Sequence, residues 1–193
     1  AVLNQAKFAS GGVGASNTSA LMYGGNIPGN TANTESWDGS SWTEVADLNT
    51  ARHGMASVGS SNTSALAVGG SGGTALTEIW NGTNWTETGD LNTGRHTSAG
   101  AGTTTVGLVF GAGPPNVVTE SWNGSSWTEV SDLNTGRSNI AGSGLQTSAL
   151  AFGGFESPST ARSTKTEEWN GVSWAEVNDL STGRYDTTAV QQG

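Results

Sequence analysis

Two tryptophans five residues apart recur four times along this chain, as Trp37/Trp42, Trp80/Trp85, Trp122/Trp127 and Trp169/Trp174. The leading members stand 43, 42 and 47 residues apart. Other residues keep the same spacing. Asp47-Leu48, Asp90-Leu91, Asp132-Leu133 and Asp179-Leu180 follow the pairs, and then come Arg52, Arg95, Arg137 and Arg184. An Ala-Leu-x-x-Gly-Gly run occupies 20–25, 65–70 and 149–154, with Gly107-Leu-Val-Phe-Gly111 as the third-copy variant. Self-similarity at a fixed period marks one supersecondary unit that buries its apolar face only by stacking on copies of itself.

Composition alone points elsewhere. Leu, Ile, Val and Phe make up 16% of the residues, and Gly, Pro and Ser about 30%; without a period such a chain reads as low complexity. The repeat gives those residues addresses. In the copy that opens at Arg52, 53–58 is a small-residue strand (a), and 64–68 is an apolar strand (b) closed by Gly69-Gly70. Residues 77–80 form a third strand (c) and 85–88 a fourth (d). Asn81-Gly82 turns c into d, as do Asp38-Gly39, Asn123-Gly124 and Asn170-Gly171 in the other copies. Both residues of such a turn tolerate positive φ. A four-residue turn sets the two Trp of a pair opposite each other, where aromatic partners contribute about 0.2–1 kcal/mol. No window carries a helical period.

Four short antiparallel strands per repeat make a propeller blade. The predicted fold is all-β, a single β-propeller of four-stranded antiparallel blades, with repeats at about 7–51, 52–94, 95–136 and 137–183. Strand a is poor in bulk in every copy and is placed innermost, where strands converge. Residues 184–191 repeat strand a once more, and 2–7 match 47–52. The expectation is four full blades plus one extra inner strand. Three closures fit: a four-bladed ring with a surplus strand, a piece of a longer propeller, or several copies sharing one ring. An oligomer or a part of a longer chain is therefore expected.

The same residues resemble a known family. Arg, a small-residue strand, an apolar strand ending Gly-Gly, an aromatic after Glu, a Trp and then Asp-Leu is similar to the order of Kelch repeats, over 1–191. Trp37 and Trp80 stand where Kelch repeats often carry Tyr. The resemblance implies a Kelch-type propeller like the central domain of galactose oxidase. The near-uniform, Lys-poor copies also resemble Kelch-like repeats in virion and tail proteins of environmental phages. This implies a non-enzymatic binding or structural module, a virion or tail-fibre-like interaction domain at an extracellular or virion surface. Its implied partners are proteins of a larger assembly or, alternatively, a surface glycan. The oxidase chemistry does not carry over. That copper site needs a Tyr cross-linked to Cys plus His ligands, and this chain has no Cys and only Tyr23 and Tyr185 as tyrosines.

Several function classes are excluded directly. With 7 Lys+Arg against 16 Asp+Glu and a formal net charge of -9, the chain offers little attraction to nucleic acid or anionic lipid. No apolar run approaches the ~18 residues of a membrane span. Without Cys there is no disulfide, thiolate metal site or Cys nucleophile. No Walker loop, His-Glu-x-x-His or nucleophile elbow occurs, so no cofactor and no catalytic residue is expected. The pairs Glu35/Glu44, Glu78/Glu87, Glu120/Glu129 and Glu167/Glu176 resemble glycosidase dyads in composition. Catalysis needs one asymmetric site with shifted pKa values, whereas four copies on outer strands suit a solvated, charged blade edge.

In a blade, the d–a and b–c connections share one face, and the a–b and c–d turns share the other. The variable b–c loops, 25–33, 70–76, 111–118 and 153–165, mark the binding face of a uniform scaffold. Candidate ligand-binding residues there are Arg52, Arg95, Arg137 and Arg184, placed around the channel mouth. His53 and His96 stand side by side in successive copies, and Phe155, Glu156 and Arg162 lie in the longest loop. The Arg row has a competing structural role, as an ion-pair or carbonyl ligand repeated in each blade. The positions equivalent to the two His hold Phe8, Ser138 and Tyr185, so no metal is expected despite the ligating capacity of imidazole.

Overall fold

The computed structural model describes residues 2–112, 117–159 and 161–186. Four antiparallel four-stranded sheets form the four blades of a β-propeller. The first holds β1 (Gly11–Ser16) and β2 (Ser19–Tyr23), a small hairpin of β3 (Asn26–Ile27) and β4 (Gly29–Asn30), then β5 (Thr34–Trp37) and β6 (Trp42–Val45). The second is β7 (Ala56–Ser61), β8 (Ser64–Val68), β9 (Thr77–Trp80) and β10 (Trp85–Glu87). The third is β11 (Ala99–Gly102), β12 (Gly107–Phe110), β13 (Thr119–Trp122) and β14 (Trp127–Val130). In the fourth, the short β15 (Arg137–Ser138) precedes β16 (Ala141–Leu145) and β17 (Ser148–Phe152); β18 (Phe155–Glu156), β19 (Thr166–Trp169) and β20 (Trp174–Glu176) follow. The inner strands pack in chain order, β1 on β7, β7 on β11 and β11 on β16.

Each Trp pair meets across its hairpin: Trp37 faces Trp42, Trp80 faces Trp85, Trp122 faces Trp127 and Trp169 faces Trp174. The turns between them use the Asp or Asn differently from the sequence expectation. Only the glycine of each pair has positive φ. The side chain before it caps the turn instead. Asp38 Oδ1 accepts from the Ser40 and Ser41 N–H groups at 2.8 and 2.9 Å, and Asn81, Asn123 and Asn170 do the same. These bonds, Ser41 first, hold the Asp38 carboxyl down at about 2.

Blades join through one repeated interface. Strand b sends Leu21 and Tyr23, Leu66 and Val68, or Leu108 and Phe110 into the next blade, which answers with small residues and its Trp pair. The second indole of each pair then donates to a threonine of the preceding blade: Trp85 to Thr34 at 3.1 Å, Trp127 to Thr77 at 3.1 Å and Trp174 to Thr119 at 3.0 Å. Burying the ring and satisfying its N–H with the same contact is what an indole needs in a core.

The inner strand starts later than its sequence suggests, at Ala56 and not at His53. The second residue after each Arg or Lys takes a left-handed backbone: Ala9 (φ 51), Gly54 (φ 64), Thr97 (φ 62), Asn139 (φ 50) and Asp186 (φ 50). These residues are bonded to one another across blades. The Gly54 N–H donates to the Ala9 carbonyl at 2.8 Å, Thr97 to Gly54 at 2.8 Å, Asn139 to Thr97 at 3.0 Å and Asp186 to Asn139 at 3.3 Å. Residues 187–191 of the expected extra inner strand lie outside the described residues, as do 113–116 of the third b–c loop.

The Gly-Gly ends of strand b grip the chain as it passes to the next blade. Gly69 has φ 68, and a Cβ there would stand 2.5 Å from the Arg95 carbonyl oxygen, so both conformation and space require glycine. The next N–H, that of Gly70, donates to that carbonyl at 2.9 Å; Gly25, Ala112 and Gly154 do the same to Arg52, Arg137 and Arg184.

Two outcomes are expected. A β-branched residue is strained in the left-handed region, so Thr97→Gly should raise unfolding free energy by about 1 kcal/mol in urea titrations. Asp38 has its folded pKa lowered from 3.8 to about 2. Its contribution is full above the unfolded value and is lost as pH falls through the folded one. Asp38→Asn should flatten the acid dependence of stability across that window, and a carboxyl titration by NMR should place the Asp38 midpoint near the lower value.

Candidate functional site

Three of the four arginines placed at the channel mouth point into the protein. Arg52 pairs with the Glu78 carboxylate and donates to the Ala67 carbonyl at 3.0 Å. Arg95 pairs with Glu120 and donates to the Val118 carbonyl at 2.7 Å. Arg137 meets Glu167 at 2.8 Å and donates to the Lys165 carbonyl at 2.7 Å. All six side chains are at most 1% exposed. Burial pulls the Arg95 and Arg137 guanidinium pKa values below their ordinary range, and the facing glutamates oppose that pull. The d–a connection completes each carboxylate: Asn49 N–H and Nδ2 donate to Glu78 Oε2 at 2.7 and 2.8 Å. Asn92 and Asn134 repeat this on Glu120 and Glu167.

This arrangement corrects the solvated-edge expectation for the glutamate pairs. The first member of each pair is buried under the connection, and only Glu44, Glu87, Glu129 and Glu176 are exposed. Among the described residues the repeated aspartates form no ion pair with the Arg row. Asp47, Asp90 and Asp132 accept from the Thr34, Thr77 and Thr119 N–H groups at 3.1, 3.1 and 3.2 Å, fixing the start of strand c.

The two ends of the series depart from the rule. In the first blade Lys7 replaces the arginine; its Nζ stands 3.6 Å from Glu35 Oε1, which is buried and has no hydrogen-bond partner among the described residues. Arg184 is exposed, and its Nε donates to the Thr182 carbonyl at 3.3 Å.

His53 and His96 do sit side by side, with ring centroids 5.1 Å apart and planes at 88°. His53 Nδ1 lies 2.7 Å from Asn30 Oδ1. His96 Nε2 is buried and has no hydrogen-bond partner among the described residues; burial first, and then His53, lower its pKa below the usual histidine value. Among the described residues no group of three or more His, Asp or Glu is placed to hold a metal ion.

The long fourth loop builds the most distinctive surface. β18 pairs with β15, setting Phe155 beside Ser138 and Glu156 beside Arg137. Phe155 also bridges to Arg162. The Phe155 ring stacks on Tyr185 with centroids 4.1 Å apart at 31°, and the Arg162 guanidinium lies 5.2 Å over the Tyr185 ring, within cation–π range. Glu156 Oε1 accepts from Ser163 Oγ at 2.8 Å. Tyr185 is 37% exposed, and Phe8, at the same position in the first copy, is 66% exposed. The structure thus brings Phe155 and Arg162 together, with Glu156 beside them, and joins them to Tyr185. Sequence reasoning left Tyr185 off the candidate set, although its place directly after Arg184 matches that of His53 and His96 in their copies.

Neighbouring loops join into one rim. Asn30 Nδ2 donates to Ser71 Oγ at 3.0 Å, and the Ser71 N–H donates to the His53 carbonyl at 2.8 Å. The face therefore offers exposed aromatic rings, a guanidinium and a carboxylate, a set suited to stacking and hydrogen bonding with a ligand. No protein-family model matches this chain, and no curated protein does so either. Among the described residues no helix is long and apolar enough to cross a membrane.

The buried bridges and the exposed glutamates should separate cleanly on mutation. Glu78→Ala leaves Arg52 uncompensated in the interior and should cost about 3–5 kcal/mol in urea unfolding. Glu87→Gln, on the exposed member of the same pair, should stay within about 0.5 kcal/mol of the parent.

Proposed function

We propose that the chain is a non-enzymatic binding module, a Kelch-type propeller that presents variable loops on one face to a protein partner in a larger assembly. Virion or tail-fibre interaction domains at an extracellular or virion surface are the setting that its repeat order and uniformity favour. The observation that carries this reading is the cluster of Phe155, Tyr185 and Arg162. It breaks the regularity of the repeats, lies among the connections of the loop face, and leaves Tyr185 and Arg162 open to solvent. Repeated polar groups such as the Arg–Glu bridges are consumed by the scaffold. Aromatic and arginine side chains dominate the energetics of protein interfaces, and conserving a scaffold while varying its loops is a common route to recognition.

The same rings favour a second reading, a glycan-binding propeller, because sugar faces stack on exposed aromatics. The tryptophans contribute little to it: Trp80, Trp85, Trp122, Trp127, Trp169 and Trp174 are buried. Selection from a displayed peptide library, run beside a glycan array, tests both. Peptide ligands whose affinity falls at least tenfold in Phe155→Ala, Tyr185→Ala and Arg162→Ala, about 1.4 kcal/mol each, support the protein-partner reading. Glycan binding with the same dependence and no peptide ligand supports the second. Ligands indifferent to all three substitutions, or no ligand at all, overturn the assignment to this cluster.

A further inference from the structure

The three interfaces between blades leave one half of a fourth at each end of the series. On the fourth blade, Leu150 and Phe152 hold the places of Leu66 and Val68 or Leu108 and Phe110. Leu66 and Leu108 are at most 1% exposed, whereas Leu150 is 41% exposed. A cavity of about 440 Å³ opens beside it, lined by Ser143, Gly144, Ser148, Ala149, Leu150 and Glu168. On the first blade, Trp37 and Trp42 are only half-buried and Gly12 is exposed, although the six matching tryptophans elsewhere are buried.

The polar groups of these two faces are unpaired in a matching way. Each internal interface has an indole-to-threonine bond. Among the described residues Trp42 Nε1 has no acceptor and Thr166 Oγ1 no donor, and they are the two halves of that bond. Ser19 and Ser64 bond to Asn62 and Thr104 in the turn of the following blade at 2.9 and 2.7 Å; Ser148 and Asn17 hold the corresponding places, exposed. Among the described residues Arg184 is an exposed guanidinium without a carboxylate, and Glu35 is a buried carboxylate with an oxygen that accepts no hydrogen bond.

We propose that a second copy of this chain covers the open face of the fourth blade with its own first blade, head to tail, as the next blade of the same propeller. Every contact this requires already occurs within the chain: the indole-to-threonine bond three times, the serine-to-turn bond twice, and the Arg–Glu bridge at Arg52, Arg95 and Arg137. Each copy carries both halves, which is the condition for a heterologous contact that closes into a ring or runs on. One seat is contested. Residues 180–184 and the partner's 3–7 are versions of the same connection, and only one can lie over the partner's Glu35. Arg184 brings the forked donor that satisfies Glu78 in the second blade, while Lys7 leaves Glu35 Oε1 unbonded. Lys7 and its connection act as a placeholder that yields to the arriving Arg184.

Sedimentation velocity and native mass spectrometry of the full chain over a concentration series test this. A discrete oligomer is expected, dissociating to monomer in Leu150→Glu and in Arg184→Glu, both exposed positions, with unchanged circular dichroism. Trp42 on the opposite face gives the complementary probe: Trp42→Ala is expected to be monomeric alone and to form a one-to-one dimer when mixed with Leu150→Glu. Lys7→Arg strengthens the placeholder and should weaken assembly at least tenfold. A parent chain that stays monomeric at every concentration overturns the proposal, and so does an oligomer indifferent to Leu150→Glu. A mixture of the two single variants that stays monomeric rules out the head-to-tail arrangement.

Discussion

A guanidinium and a carboxylate, both withdrawn from water, hold each of the later blades to the connection that delivers it. Desolvating such a pair costs several kcal/mol per ion unless the remaining donors and acceptors are met. Here they are met by the same short segment. The asparagine of the connection fills the far carboxylate oxygen, the arginine reaches a carbonyl of its own blade, and the arginine's carbonyl is taken by the glycine N–H of the blade before. The bridge therefore fixes where the chain crosses from one sheet to the next. It also seats the leucine of the Asp-Leu pair, Leu48, Leu91 or Leu133, in the apolar layer between blades.

Much of this was legible in the residues. The Trp pairs, strands b and c and the c–d turns stand where the period places them, because each depends on local pattern and hairpin geometry. Three features were not legible, for distinct physical reasons. The burial of Glu78 and its counterparts depends on a segment some thirty residues earlier lying over strand c, which alternation within the strand does not encode. The late start of the inner strand follows from a backbone conformation shared by Ala, Gly, Thr, Asn and Asp, so no residue type marks it. The stacking of Phe155 on Tyr185 joins a loop to the connection after it, and spacing alone does not bring those rings together.

Repetition and its failure divide the labour of the molecule. What recurs is buried or bonded within the scaffold: tryptophans between blades, arginines on glutamates, aspartates on strand starts. What does not recur collects on the loop rim and at the two end blades. The candidate residues separate along the same line, with Arg52, Arg95 and Arg137 inside and Phe155, Arg162 and Tyr185 at the rim.

The hydrogen-bonded chain from Ala9 through Gly54, Thr97 and Asn139 to Asp186 uses main-chain atoms only. Its N–H to carbonyl links need no side-chain atom, so each repeat meets its neighbours through the same generic coupling. A gene that gained or lost one whole repeat would keep that coupling intact without a compensating substitution. Blade number in such an architecture is open to change by unequal recombination, while the side chains of each blade remain free to diverge toward separate tasks.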